Sequence, residues 1–355
     1  MFEDRSKKRT ELSDLGEFGL INHLTKNIKP KHENTLMGIG DDCAVIDHGD
    51  HVSLVTTDNL IEGIHFDLTY APLRHLGYKA AVVNFSDIIA MNGTPKQMTL
   101  GISVSNRFSV EAMEEIYSGI LLACERYNVD LIGGDTTSSP SGLFISITAI
   151  GEAKKEDVAY RHGAKEGDLL CVSGNVGAAY AGLLLLEREK REFQANPNMQ
   201  PELSGFDYVL ERQLKPEARK DIIEKLKELG VKPTSMIDVS DGVASEALHL
   251  CTRSKVGCNI YEEKLPIDHT TIQVVEEFNI ASTVAALSGG EDYELLFTIN
   301  QNDYDKIKDV EEITVIGHIT DIKSSANLIA TDGAVAPLTA QGWDAWLNKE
   351  PETKK

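Results

Sequence analysis

Ile237-Asp238-Val239-Ser240-Asp241-Gly242 reads as the end of a strand, an acidic turn and the start of a helix that continues to Thr252. A strand feeding a helix through so short a turn marks a mixed α/β chain. The same alternation extends outward on both sides. Asp168–Ser173 reads as a strand followed by a helix from about Val176, and Pro216 suits the first turn of a helix to Leu229. Glu294–Ile299 and Glu312–Ile319 read as further strands. Upstream, Leu15–Ile28 is a helix with Phe18, Ile21, Leu24 and Ile28 on one face. A Gly40-Asp41-Asp42 turn, a strand His51–Thr57 and a helix Tyr78–Met91 follow. Then come a strand Gln97–Val104, a helix capped by Ser109 and running to Tyr127, and strands Val129–Ile132 and Leu143–Ile150. The charged run AKKEDVAYRHGAKEG, residues 153–167, separates two halves, 1–152 and 153–350. Each half places an acid where a strand ends.

A length of 355 residues suits about two domains, and 41% hydrophobic with 26% charged residues is an ordinary globular composition. Lys plus Arg is 35 and Asp plus Glu is 56, a net charge of −21. That field repels a phosphate backbone, so no nucleic-acid partner is expected. The most apolar stretch, Ala178–Leu186, is far shorter than the roughly 20 residues of a membrane span. The first residues, MFEDRSKKRTELSD, lack the apolar core of a secretory signal. Cys43, Cys124, Cys171, Cys251 and Cys258 are odd in number and never spaced CxxC. Free buried thiols in a reducing cytoplasm are expected. Lys190–Gly205 reads as a polar surface excursion and Pro351–Lys355 as a frayed tail.

Six aspartates stand at expected element ends: Asp42, Asp58, Asp87, Asp135, Asp238 and Asp241. Singly, each has an ordinary role as a helix cap or turn residue. Together they would carry a charge of about −6, and phosphorylated substrates would add to it. Such a pocket needs divalent cations, and magnesium takes carboxylate oxygens and completes its shell with water and phosphate. Two ions would not balance the charge, so at least three are expected. No GxxxxGK[ST] phosphate loop, GxGxxG, GxSxG or HExxH occurs. The turn Ser173-Gly174-Asn175-Val176-Gly177 is either structural or a helix N-terminus facing a phosphate.

Six motifs occur in order: Gly38-Ile39-Gly40-Asp41-Asp42-Cys43-Ala44, Thr57-Asp58-Asn59-Leu60, Asn84-Phe85-Ser86-Asp87, Ile132-Gly133-Gly134-Asp135-Thr136-Thr137, Ile237–Gly242 and Ser288–Leu295. From about Gly16 to Trp343 the chain resembles the thiamine-monophosphate kinases of the aminoimidazole ribonucleotide synthetase superfamily. The resemblance implies an α/β (α+β) fold of two domains, the N-terminal sheet pairing across a homodimer. It implies ATP-dependent conversion of thiamine monophosphate to thiamine diphosphate with several Mg²⁺ ions. Asp42, Thr56, Thr57, Asp58, Asp87, Asp135, Asp238 and Asp241 match the family's magnesium ligands. Tyr117, Gly134, Arg161 and Ser240 match its ATP contacts, and His65, Glu291 and Trp343 meet the thiamine phosphate. The acceptor is already a phosphate, so no general base is expected. Sister ATP-dependent enzymes are the nearest alternative. Met1–Gly40 lacks the cysteine of selenophosphate synthetases, and the C-terminal cysteine of the hydrogenase maturation proteins is also missing. A non-catalytic nucleotide-binding protein of the same fold is a further alternative.

Overall fold

The computed structural model describes residues 10–340; Trp343 and the tail Pro351–Lys355 lie outside them. Up to Ala153 the elements are α1 (Gly16–Thr25), β1 (Thr35–Met37), β2 (Ala44–Asp47), β3 (Val52–Ile61), α2 (Leu73–Ala90), β4 (Thr94–Val104), α3 (Val110–Tyr127), β5 (Asp130–Ser138) and β6 (Phe144–Ala153). The strands form one sheet in the order β1-β2-β3-β6-β4-β5, antiparallel except for the β4–β5 pair. Along β6 burial alternates: Ile145, Ile147 and Ala149 face the helices, while Ser146 and Thr148 are on the more open face.

After Leu169 come β7 (Leu169–Ser173), α4 (Ala178–Ala195), α5 (Asp207–Leu214), α6 (Lys220–Glu228), β8 (Ser235–Asp238), α7 (Val243–Ser254), β9 (Gly257–Tyr261), α8 (His269–Glu277), α9 (Ser282–Ser288), β10 (Leu295–Ile299), α10 (Tyr304–Ile307), β11 (Ile313–Thr320), β12 (Ala326–Ile329) and β13 (Val335–Pro337). Their strands form a second sheet, β13-β12-β9-β11-β7-β10-β8, in which only β12 and β9 run parallel. Strand β10, between β7 and β8, and the terminal strand β8 are both buried throughout. Two mixed sheets with packed helices put the chain in the α/β (α+β) class.

The two halves share a core. Met236 of β8 and Leu295 and Phe297 of β10 join the cluster that holds Phe85 and Ile89 of α2. The other face of the second sheet, with Leu170, Ile237 and Leu296, packs on Val243 and Ala247 of α7. Helix α2 is buried nearly all round, which an amphipathic stripe does not reveal. It packs backbone to backbone on α3: a Cβ on Gly77 would lie 2.0 Å from the Ile116 carbonyl, and one on Gly119 1.8 Å from that of Arg74.

Several expected boundaries move. β3 continues past Thr57 to Ile61 because its pairing with β6 runs on to Phe144. β5 does not stop at Gly133-Gly134-Asp135 but passes through it, paired with β4 as far as Ser138. Asp58 and Asp135 therefore lie within strands, and of the three acids expected at strand ends only Asp238 ends one. Helix α4 carries on to Ala195, taking the first part of the expected excursion into regular structure. Pro216 lies four residues before α6, whose N-cap is Arg219. Helices α5, α8, α9 and α10 and strands β1, β2, β9, β12 and β13 are not among the expected elements. Ser109 does cap α3, its hydroxyl accepting from the Ala112 N–H at 3.3 Å.

Candidate active site

The junction of α2 with the C-terminal end of β8 gathers acids from both halves. Carboxylate oxygens of Asp42 (before β2), Asp87 (α2) and Asp238 (end of β8) all lie within 4.8 Å of one another. Each is held by a different neighbour. Thr56 Oγ1 donates to Asp87 Oδ2 at 2.5 Å, and Ser86 Oγ donates to Asp238 Oδ2 at 2.6 Å. Arg161 donates from Nη2 to Asp42 Oδ1 at 2.5 Å. Asp42 Oδ2 is buried with no hydrogen-bond partner among the described residues. Asp58 lies on the same face of β3 as Thr56, and its N–H donates to Asn84 Oδ1 at 3.0 Å. Burial and mutual repulsion act in one direction here. Burial first, then the Asp42 charge, raises Asp58 to about 6 and Asp238 to about 7. Burial, then Asp58, Asp238 and Asp42, holds Asp87 well above the usual carboxylate range.

Asp241 stands beside this group. Its N–H donates to Glu246 Oε1 at 2.9 Å, and burial, then the Glu17 charge, raises its carboxyl to about 6. The Ser240 hydroxyl is 3.4 Å from the same Glu246 oxygen. Arg161 is engaged with Asp42, and its N–H donates to Asp41. The remaining acids and contacts are dispersed. Asp135 is exposed on the edge strand β5, and among the described residues no hydrogen bond ties it to the other acids. Thr57 points to the opposite face of the sheet from Thr56, donating to the Ile147 carbonyl at 3.0 Å. Gly134 precedes Asp135 on β5, where a Cβ would lie 1.9 Å from the Leu100 carbonyl oxygen. Tyr117 is half-buried on α3 against the first core. Trp343 falls outside the described residues.

Glu291 and His65 form a second group at the near end of α2. Glu291 Oε1 is 3.0 Å from Lys79 Nζ, and Oε2 accepts from Gln213 Nε2 at 2.8 Å. His65 Nδ1 accepts from the Ile61 N–H at 3.1 Å. Burial lowers its pKa, and the nearby Glu291 charge opposes that shift. Glu291 and Tyr293 hold left-handed φ angles of 58° and 51°. Such backbone costs about 1–3 kcal/mol per residue and persists only when enforced. The Ser240 carbonyl, 2.7 Å from the Glu291 N–H, and the Val239 carbonyl, 2.9 Å from that of Tyr293, enforce it. The Tyr293 phenol is pushed well up by burial and then by Glu291, Asp58, Asp238 and Asp87.

Sequence reasoning missed Lys79, Asn84, Ser86, Gln213, Glu246 and Tyr293. The available signal was polar residues at 79, 84, 86 and 87 inside an otherwise apolar helix. The turn at 173–177 takes its structural alternative. The buried Asp292 carboxylate accepts from the Gly177 and Ala179 N–H groups at 2.6 and 3.2 Å, occupying the N-terminus of α4 from within. All five cysteines are buried free thiols, and among the described residues no helix is long and apolar enough to cross a membrane.

Residues 40–153 match the family model of the AIR synthase related protein, N-terminal domain. The thiamine-monophosphate kinase of Aquifex aeolicus (strain VF5) is 36% identical over 303 residues, 85% of this chain and 92% of the relative. That of Bacillus subtilis (strain 168) is 33% identical over 337 residues, 93% of this chain and 99% of the relative. The structure of AaThiL complexed with AMPPCP and TMP superposes with a TM-score of 0.81 at 32% identity, covering 96% of this chain and 100% of that one.

Proposed function

The chain belongs to the thiamine-monophosphate kinase family, and from that premise we propose that it phosphorylates thiamine monophosphate with ATP by direct in-line transfer between two phosphates. The observation that carries this proposal is the convergence of Asp42, Asp87 and Asp238, contributed by both halves, within 4.8 Å. Their oxygens are the hard donors that magnesium takes, and Asp42 Oδ2 is buried without a partner among the described residues, so the residues fit the metal. Several Mg²⁺ ions, when bound here, would neutralise the pooled charge of acids and phosphates and polarise the transferring group. Asp42, Asp58, Asp87, Asp238 and Asp241 supply carboxylate oxygens, with Thr56 orienting Asp87 and Ser86 orienting Asp238. Asp135 and Thr57 are assigned to the rim of the same cluster.

Arg161 can release Asp42 for a phosphate oxygen, its planar fork suiting either partner. Ser240, at the approach to α7, Gly134, on the edge strand, and Tyr117 are assigned to ATP. Glu291, His65 and Trp343 are assigned to the thiamine end. An anionic phosphate is already a nucleophile, so no residue has to remove a proton and none forms a phospho-enzyme. Positioning and charge compensation supply the rate.

Residues 1–152 are assigned as the nucleotide, magnesium and dimerisation domain, and 153–350 as the domain that closes the site. Edge strand β5 and the open sheet face carrying Thr57, Ser146 and Thr148 support a homodimer, because an unpaired edge seeks a partner. Purified protein given ATP, Mg²⁺ and thiamine monophosphate is expected to form thiamine diphosphate, followed by chromatography. Folded protein that makes none across a range of magnesium concentrations overturns the assignment.

A further inference from the structure

Both oxygens of Glu291 are engaged, by Lys79 Nζ at 3.0 Å and by Gln213 Nε2 at 2.8 Å. An ionised carboxylate only accepts, so this contact fixes which end of the Gln213 amide is nitrogen. The amide oxygen, Oε1, is then left buried with no hydrogen-bond partner among the described residues, and Gln213 itself is only 6% exposed. A buried acceptor without a donor is costly and calls for an explanation. Gln213 lines a small cavity with His65, Phe66, Tyr70, Leu76 and Lys79. Its volume is about 20 Å³, above the roughly 10–15 Å³ that one water needs and enough for one amino group but not a ring. Lys79 has three N–H donors. Glu291 and the Gln213 main-chain carbonyl, 3.0 Å away, engage two of them, and the third has no partner among the described residues.

We propose that Gln213 and Lys79 are specificity-determining residues that read an amidine edge, an amino group beside a ring nitrogen, such as the 4-aminopyrimidine edge of thiamine monophosphate. The proposal rests on the kinase assignment above. Gln213 Oε1 accepts from the amino group entering the cavity, and the spare Lys79 N–H donates to the adjacent ring nitrogen. The apolar walls of Phe66, Tyr70 and Leu76 keep water from competing for these bonds. A 4-oxo analogue reverses the pattern, setting a carbonyl oxygen against Gln213 Oε1 and a ring N–H against the ammonium. A site built to bond one pattern rejects the other strongly.

The test compares thiamine monophosphate with its 4-oxo analogue, by turnover with ATP and Mg²⁺ and by calorimetric titration. The unaltered enzyme is expected to favour the amino compound by about a hundredfold or more in kcat/KM. In Gln213→Met, which keeps length and removes the oxygen, the preference should fall to about tenfold or less. Both compounds are measured on the same preparation, so a lowered folded fraction cancels from the ratio. If Gln213→Met does not fold, titration of the unaltered protein decides, and equal affinity for the two compounds overturns the proposal. A preference unchanged in Gln213→Met means that a resident water satisfies Oε1, which also overturns it while leaving the kinase assignment standing. Failure of the unaltered enzyme to turn over thiamine monophosphate overturns the kinase assignment itself.

Discussion

Asp87 is where residue chemistry and position meet most closely. Its carboxylate faces Asp42 and Asp238 and takes a 2.5 Å bond from Thr56, and burial, then Asp58, Asp238 and Asp42, raises its pKa well above the usual carboxylate range. Asp87→Asn keeps shape and the Thr56 contact but removes the charge. It is expected to lower kcat about a hundredfold or more with circular dichroism and melting preserved; near-normal turnover would remove Asp87 from the metal site. The acids were legible because acids at turns and strand ends are visible one at a time. Lys79, Ser86 and Gln213 were not, because a polar residue on a buried helix signals at most that it needs a partner, not which one. Its partner comes from the other half of the chain: Asp238 for Ser86, and Glu291 for Lys79.

At the scale of elements, two contacts set how the site is framed. The α2–α3 crossing allows no side chain at Gly119, where a Cβ would meet the Arg74 carbonyl at 1.8 Å. Gly119→Ala should cost about 1–3 kcal/mol of unfolding free energy, read from urea denaturation. Asp292 caps α4 and lies 3.8 Å from Arg212, with its carboxyl raised to about 6 by burial. Asp292→Ala leaves two helix N–H groups and a buried guanidinium short of a partner. A loss of about 3 kcal/mol is expected in the same denaturation measurement, with Asp292→Asn losing less. Ser109 and the apolar runs marked their elements correctly because capping and periodicity are local. The ends of β3 and β5 were misjudged because ladder pairing with β6 and β4 carries Asp58 and Gly134 through as strand residues.

For the whole molecule, the pooled acids link folding to pH and to cations. Asp58 and Asp241 are raised to about 6, and Asp41 and Asp238 to about 7, burial being the largest cause in each. Unfolded aspartates titrate near ~3.9. Between about pH 4 and 7 the folded chain therefore holds more protons than the unfolded chain, so its stability falls as pH rises through that window. Melting of metal-free protein is expected at a lower temperature at pH 8 than at pH 5, and Mg²⁺ should raise it more at pH 8. A melting temperature that ignores both pH and Mg²⁺ would refute the linkage. By itself the sequence determined the α/β class, the supply of acids and the kinase family, because strand and helix periodicity, residue type and motif order are properties of neighbours along the chain. Only the tertiary structure decided which acids share a pocket, which face of β3 each threonine takes, and that Lys79 and Gln213 clasp Glu291. Those outcomes depend on two sheets meeting across α2, and long-range packing of that kind leaves no periodic trace in the chain.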